Sequence, residues 1–155
     1  MRDPLPHARG RSRLIVIGLG NSFRGDDAAG LAVARALGDD PRVLVHEGEP
    51  IDLLDRWEEA GEVIVVDAAR SGAAPGTVHH LDGLAEPVTA GGSTHAFGLA
   101  QTLALARALG RAPANVKVIG IEGERFGAGD ELSPAVARAV ERVGRALRAR
   151  LEAGE

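Results

Sequence analysis

An apolar run that meets a glycine turn and then two adjacent carboxylates, Arg13 to Gly30 in the order RLIVIGLGNSFRGDDAAG, sets the terms on which this chain can fold. Leu14, Ile15, Val16 and Ile17 form a short β-branched run closed by Gly18, which reads as a buried strand, and Leu31 to Leu37 reads as a helix. The turn between them lies at a strand's carboxyl end. In open α/β sheets ligands gather at that edge, because strand ends and helix N-termini converge there with unpaired backbone N–H groups. Asp26 and Asp27 are delivered to it. Helix capping is the ordinary role of such a pair taken alone, since a carboxylate there accepts an orphaned N–H at the positive end of the helix dipole. The glycine turn alone is not diagnostic. A dinucleotide fingerprint needs a third glycine where Phe23 stands, and no GK[ST] follows, so neither phosphate-cradling motif is complete.

The rest of the chain repeats the same alternation. Arg42 to His46 reads as a second strand, Ile51 to Ala60 as a short amphipathic helix begun after Pro50, and Glu62 to Asp67 as a third strand apolar enough to be buried on both faces. Gly76 to Leu81 alternates weakly, as an edge strand or hairpin arm. Its His79 and His80 point to opposite faces and are expected at the surface. Ser93 or Thr94 is the natural cap of a helix that runs to about Leu109, and Asn115 to Ile121 is the last strand. A final helix starts at Ser133-Pro134, with Val136, Val140, Val143, Leu147 and Leu151 on one stripe. The pattern predicts an α/β fold: one three-layer αβα domain over residues 13–152, with a mainly parallel, twisted sheet of about five strands and right-handed crossovers. Residues 1–12 are expected to form a flexible polar arm.

Composition narrows the function. The chain has 155 residues, enough for one core, and its net charge of −4 argues against nucleic acid as a principal partner. It has no cysteine, so thiolate nucleophiles and Cys-ligated metal sites are excluded, and any metal must be held by His and carboxylates. No run approaches the roughly 18 apolar residues of a spanning helix, and the N-terminal stretch lacks the apolar core of a signal peptide. A cytoplasmic protein without a membrane partner is the expectation.

The alternation brings the ends of strands one and three and the start of the Ser93 helix to one edge, where Asp27, Asp67 and His95 can converge. A His in the first turn of a helix is disfavoured as a cation, so His95 is expected neutral and able to act as a ligand. Two carboxylates and one imidazole suit a borderline or hard divalent ion such as nickel, zinc or manganese. The spacing does not choose between Asp26 and Asp27.

GLGNSFRGDDAAG at Gly18 to Gly30, VIVVDA at Val63 to Ala68, GGSTHAFGLAQTL at Gly91 to Leu103, and IGIEGERF with its downstream LSPAVARAV resemble the [NiFe]-hydrogenase maturation endopeptidases, in order and over nearly the whole chain. Members of that family remove a short C-terminal extension from the hydrogenase large subunit once nickel has been inserted. The resemblance implies that Asp27, Asp67 and His95 contact the metal, that Asp27 rather than Asp26 is the acidic residue of the first motif, and that the nickel is supplied by the large-subunit precursor. Asp27 or Asp67 is then expected to orient or deprotonate the attacking water, with the metal polarising the carbonyl.

Other protease signatures are incomplete. His46-Glu47 is followed by Pro50 where HExxH requires a second His, and His95 replaces the last glycine of a G-x-S-x-G around Ser93. The family's glycine-rich segment after strand two is replaced by His46-Glu-Gly-Glu-Pro-Ile-Asp52. His46, Glu47 and Glu49 lie at the same edge and are candidate substrate contacts, or else solvate a strand end. Asn21 either stabilises its loop or donates to a substrate carbonyl. Three competing readings are a hydrolase of a related α/β scaffold, a nickel-binding maturation module that cuts nothing, and a nucleotide-binding domain. The GLGN turn also resembles peptidyl-tRNA hydrolases, but their proline-glycine continuation is replaced by Ser22-Phe23-Arg24.

Overall fold

The computed structural model describes residues 13–57, 60–83 and 94–154, with the side chains of 94–98 outside the description. Five strands form one sheet: β1 (Leu14–Leu19), β2 (Val43–His46), β3 (Glu62–Ala69), β4 (Val78–Asp82) and β5 (Asn115–Glu122), in the order β2-β1-β3-β5-β4. The first four in that order are parallel, and β4 closes one edge antiparallel to β5. The helices are α1 (Ala29–Ala36), α2 (Leu54–Trp57), α3 (Thr94–Ala108) and α4 (Pro134–Ala153).

Alternation along the strands divides the core in two. Leu14, Val16, Ile64, Val66, Ile119 and Ile121 face α1 and α4. Ile15, Ile17, Val63, Val65, Val116 and Val118 face Leu53 and Trp57 at α2 and Leu99, Leu103 and Ala106 of α3. This is the expected αβα architecture. The stripe on the last helix is buried as its periodicity predicts, through Val136, Val140, Val143, Leu147 and Leu151.

Two glycines let α1 lie against the sheet. A Cβ at Gly18 would stand 2.3 Å from the Gly30 carbonyl oxygen, and one at Gly30 would stand 2.1 Å from that of Val66. Only backbone fits at that crossing, so the glycines that end the first strand and open the first helix serve close packing. The helix read over Ile51 to Ala60 starts as a 3₁₀ turn, Pro50–Leu53, before becoming α2. Pro50 cannot donate an amide, so it suits that first turn. The arm over residues 1–12 and the Ser93 cap lie outside the described residues.

Candidate active site

The segment from β1 to α1 is held without a side-chain cap. Asn21 Oδ1 accepts the Phe23 amide at 2.9 Å, making an Asx turn, and the Asn21 amide donates to the Asp27 carbonyl at 3.2 Å. Of the two roles open to Asn21, the structure shows the loop-stabilising one. Gly25–Ala28 then forms a 3₁₀ turn that leads directly into α1.

Asp26 and Asp27 part company here. Asp26 is completely buried. Its Oδ2 accepts the amides of Glu124 and Arg125 at 2.8 and 2.9 Å and the Ser133 hydroxyl at 2.9 Å, and its Oδ1 accepts the Ser133 amide at 2.7 Å. Burial alone would push this carboxyl up. The amides of Glu124, Arg125 and Ser133 and the Ser133 hydroxyl outweigh it and hold the group below its ordinary value. Asp26 therefore caps no helix through its side chain; it fastens the loop after β5 to the turn after β1. Asp27, half-buried, is the carboxylate that the turn leaves at the sheet edge.

One row of the sheet carries two further candidates, His46 and Asp67, together with His79. His46 pairs with Leu19, Asp67 with Gly120, and His79 with Gly120. Gly18 pairs with Val66, so Asp67 follows one step beyond, beside Leu19. By alternation with Val65 and Val118, this row faces the α2 and α3 side at the carboxyl ends of the parallel strands. Asp67, at the edge where the strand pattern places it, is nonetheless buried at 4% exposure, and its Oδ1 accepts the Ala68 amide at 2.8 Å. Leu103 lies against Gly83 near the start of β5, so α3 runs back along the sheet and begins toward the Asp67 end. His95 belongs to its first turn, and its side chain is outside the description.

The segment after β2 is clasped to the segment after β1. Glu47 accepts the Ser22 amide and hydroxyl, both at 3.1 Å, and lies 3.6 Å from Arg35. His46 is buried, and its Nε2 donates to the Glu49 carbonyl at 2.9 Å. Glu49 is exposed. Glu47 and His46 thus shape this rim through bonds within the chain.

A family model for HycI, hydrogenase maturation protease, matches residues 35–149, which include Asp67 and His95. The chain belongs to the hydrogenase maturation protease family. It is 29% identical over 151 residues to the hydrogenase expression/formation protein HupD of Thiocapsa roseopersicina, covering 86% of this chain and 68% of that protein. It is 32% identical over 141 residues to HupD of Rhodobacter capsulatus, covering 83% of this chain and 66% of that one. The chain thus spans about two thirds of these relatives. Among solved structures, it superposes on the hydrogenase maturating endopeptidase HybD of E. coli with a TM-score of 0.77 and 28% identity, over 90% of this chain and 92% of the other.

Sequence reasoning missed one cluster in this maturation protease. Glu122, 2% exposed, accepts the Ser71 hydroxyl at 2.7 Å, the Ser71 and Gly72 amides at 2.8 and 3.1 Å, and His79 Nε2 at 3.0 Å. Burial would raise its pKa, and these donors bring it below the ordinary value. His79 is therefore a half-buried partner of a buried carboxylate, while His80 on the opposite face is exposed as expected. The cluster holds the β3–β4 connection over the end of β5. The weak alternation of Gly76 to Leu81 carried no sign of it, since the pairing exists only once β4 lies beside β5.

Among the described residues no group of three or more His, Cys, Asp or Glu side chains is arranged to hold a metal ion. No described helix is long and apolar enough to cross a membrane. What the site offers chemically is one buried and one half-buried carboxylate, Asp67 and Asp27, at one strand edge, with the first turn of α3 directed toward it.

Proposed function

We propose that this chain removes the C-terminal extension of a [NiFe]-hydrogenase large-subunit precursor after nickel insertion, recognising the bound nickel through Asp27, Asp67 and His95. The reading rests on family membership, and the observation that carries it is the separation of the two adjacent aspartates. Asp26 spends both carboxylate oxygens on the loop at Glu124 to Ser133, which supports reading Asp27 as the acidic residue of the first motif.

Nickel enters with the precursor as part of the substrate. Carboxylate and imidazole donors also accept zinc or another divalent ion, so selectivity comes from what the precursor carries. Hydrolysis adds water to the scissile carbonyl carbon and breaks the C–N bond. Asp27 or Asp67 takes the water's proton, which then passes to the departing amine. Burial of Asp67 suits it to contact with the precursor's nickel, because a carboxylate shielded from bulk water interacts more strongly with a bound cation.

The test is processing by variants: Asp27→Asn, Asp67→Asn and His95→Ala each abolish cleavage of a nickel-loaded precursor while the circular dichroism spectrum is retained. Folded variants that process at the wild-type rate would remove the assignment.

A further inference from the structure

The chain has four aromatic residues, one Trp and three Phe. Trp57 is fully buried, and Phe126 is half-buried under the guanidinium of Arg70, 4.1 Å from its ring centroid. Phe23 is treated differently. It is 76% exposed, the most exposed large apolar side chain among the described residues. A single apolar residue on a surface is ordinary. What distinguishes this one is that its backbone is fixed on both sides: its amide donates to Asn21 Oδ1 at 2.9 Å, and its carbonyl accepts the Gly129 amide at 2.9 Å.

The support continues beneath it. The Asp27 amide donates to the Arg24 carbonyl at 3.0 Å, and the Asp26 amide to the Arg125 carbonyl at 2.7 Å. The neighbouring Ser22 is held by Glu47. Two loops, 21–27 and 123–133, are therefore locked together through the buried Asp26, and they hold Phe23 in solvent four positions before Asp27. An exposed ring on a floppy loop can fold back onto the surface. A ring on a backbone this constrained is held ready for a partner, with little ordering entropy left to lose on binding.

We infer that Phe23 is a substrate-contacting, specificity-determining residue: its ring receives an apolar side chain from the precursor's polypeptide next to the bond that is cut. The inference rests on the proposed processing activity and adds which surface of the enzyme grips the chain. An apolar occupant is favoured over a charged one because Phe23 presents only hydrocarbon. Its position in the Asp27 loop ties contact with the substrate to the carboxylate that acts on it.

The experiment is steady-state processing of a nickel-loaded large-subunit precursor that the wild-type chain cleaves, with Phe23→Ala and Phe23→Leu, alongside thermal melts of both variants. Phe23→Ala is expected to raise KM by about tenfold with kcat within about twofold, as loss of binding shared by ground and transition states requires. Phe23→Leu is expected to recover most of the loss, and neither variant to melt below the wild type, since the ring contributes little burial. An unchanged KM for Phe23→Ala would overturn the inference while leaving the activity intact. A fall in kcat at constant KM would also overturn it, showing that the ring positions Asp27 instead. A wild-type chain that cleaves no precursor would sink the functional reading itself, a different and separable result.

Discussion

The carboxylate of Asp26 accepts both the amide and the hydroxyl of Ser133, at 2.7 and 2.9 Å and 107 positions away in sequence. The residue that precedes the last helix is thereby fastened to the residue that precedes Asp27. Local structure at the candidate active site thus depends on a long-range bond made by its neighbour.

Removing that bond is expected to cost stability. Asp26→Ala leaves the buried amide of Ser133 and the part-buried amides of Glu124 and Arg125 without their acceptor, at a cost on the order of 3 kcal/mol. Asp27→Asn, at a half-buried position, is expected to change stability by less than about 1 kcal/mol. Urea midpoints of the two variants check this. Equal midpoints would show that the two aspartates are structurally equivalent.

The acid limb of stability follows from the same groups. Asp26 and Glu122 are held below their ordinary values of 3.8 and 4.5, so the folded chain binds fewer protons than the unfolded one across that range. Their contribution is complete above the unfolded values and is lost as pH falls through the lowered folded ones. Stability measured by urea unfolding is expected to hold from about pH 7 to about pH 5 and to decline below about pH 4. Asp26→Asn should show a shallower decline than the wild type. Parallel curves would mean that Asp26 is not ionised within its loop.

Two glycine substitutions are expected to have opposite signs. Gly30→Ala drives a methyl toward the Val66 and Leu19 carbonyl oxygens, 2.1 and 2.4 Å from the Cβ position, and is expected to destabilise by on the order of 3 kcal/mol. Gly144→Ala, inside α4 with nothing within 4 Å of its Cβ position, is expected to stabilise by about 0.5–1 kcal/mol. Thermal melts decide between them, and a stable Gly30→Ala would contradict the close crossing of α1 over β3.

The paired histidines are expected to separate. His79→Ala removes one donor from the buried Glu122 and is expected to cost about 1 kcal/mol, whereas His80→Ala stays within about 0.5 kcal/mol of the wild type. Denaturation midpoints of the two variants measure the difference, and equal midpoints would show that the His79 bond contributes nothing.

The fold was legible in the sequence wherever one element's pattern was decided by burial. Ile15 and Ile17 face one core, Val16 the other, and the stripe from Val136 to Leu151 needed only its own periodicity. For the candidate site residues, the elements that carry them were legible. Asp67 lies near the carboxyl end of β3, Asp27 in the 3₁₀ turn between β1 and α1, and His95 in the first turn of α3. The division between Asp26 and Asp27 was not readable from residue spacing, because it is made by Ser133, Glu124 and Arg125 on a distant loop. The same holds for Glu122, whose donors come from two segments that meet only in the sheet. The burial of Asp67 escaped because a carboxylate that ends a strand gives no local sign of what the neighbouring strands and helix cover.

Processing of one precursor in two states tests the central claim most directly. The protein is incubated with nickel-loaded and nickel-free forms of the same hydrogenase large-subunit precursor, and each product is weighed as an intact chain. The account predicts loss of a C-terminal peptide from the loaded form alone. Equal cleavage of both forms would contradict nickel as the recognition signal, and cleavage of neither, with a folded enzyme and a matched partner, would contradict the processing activity.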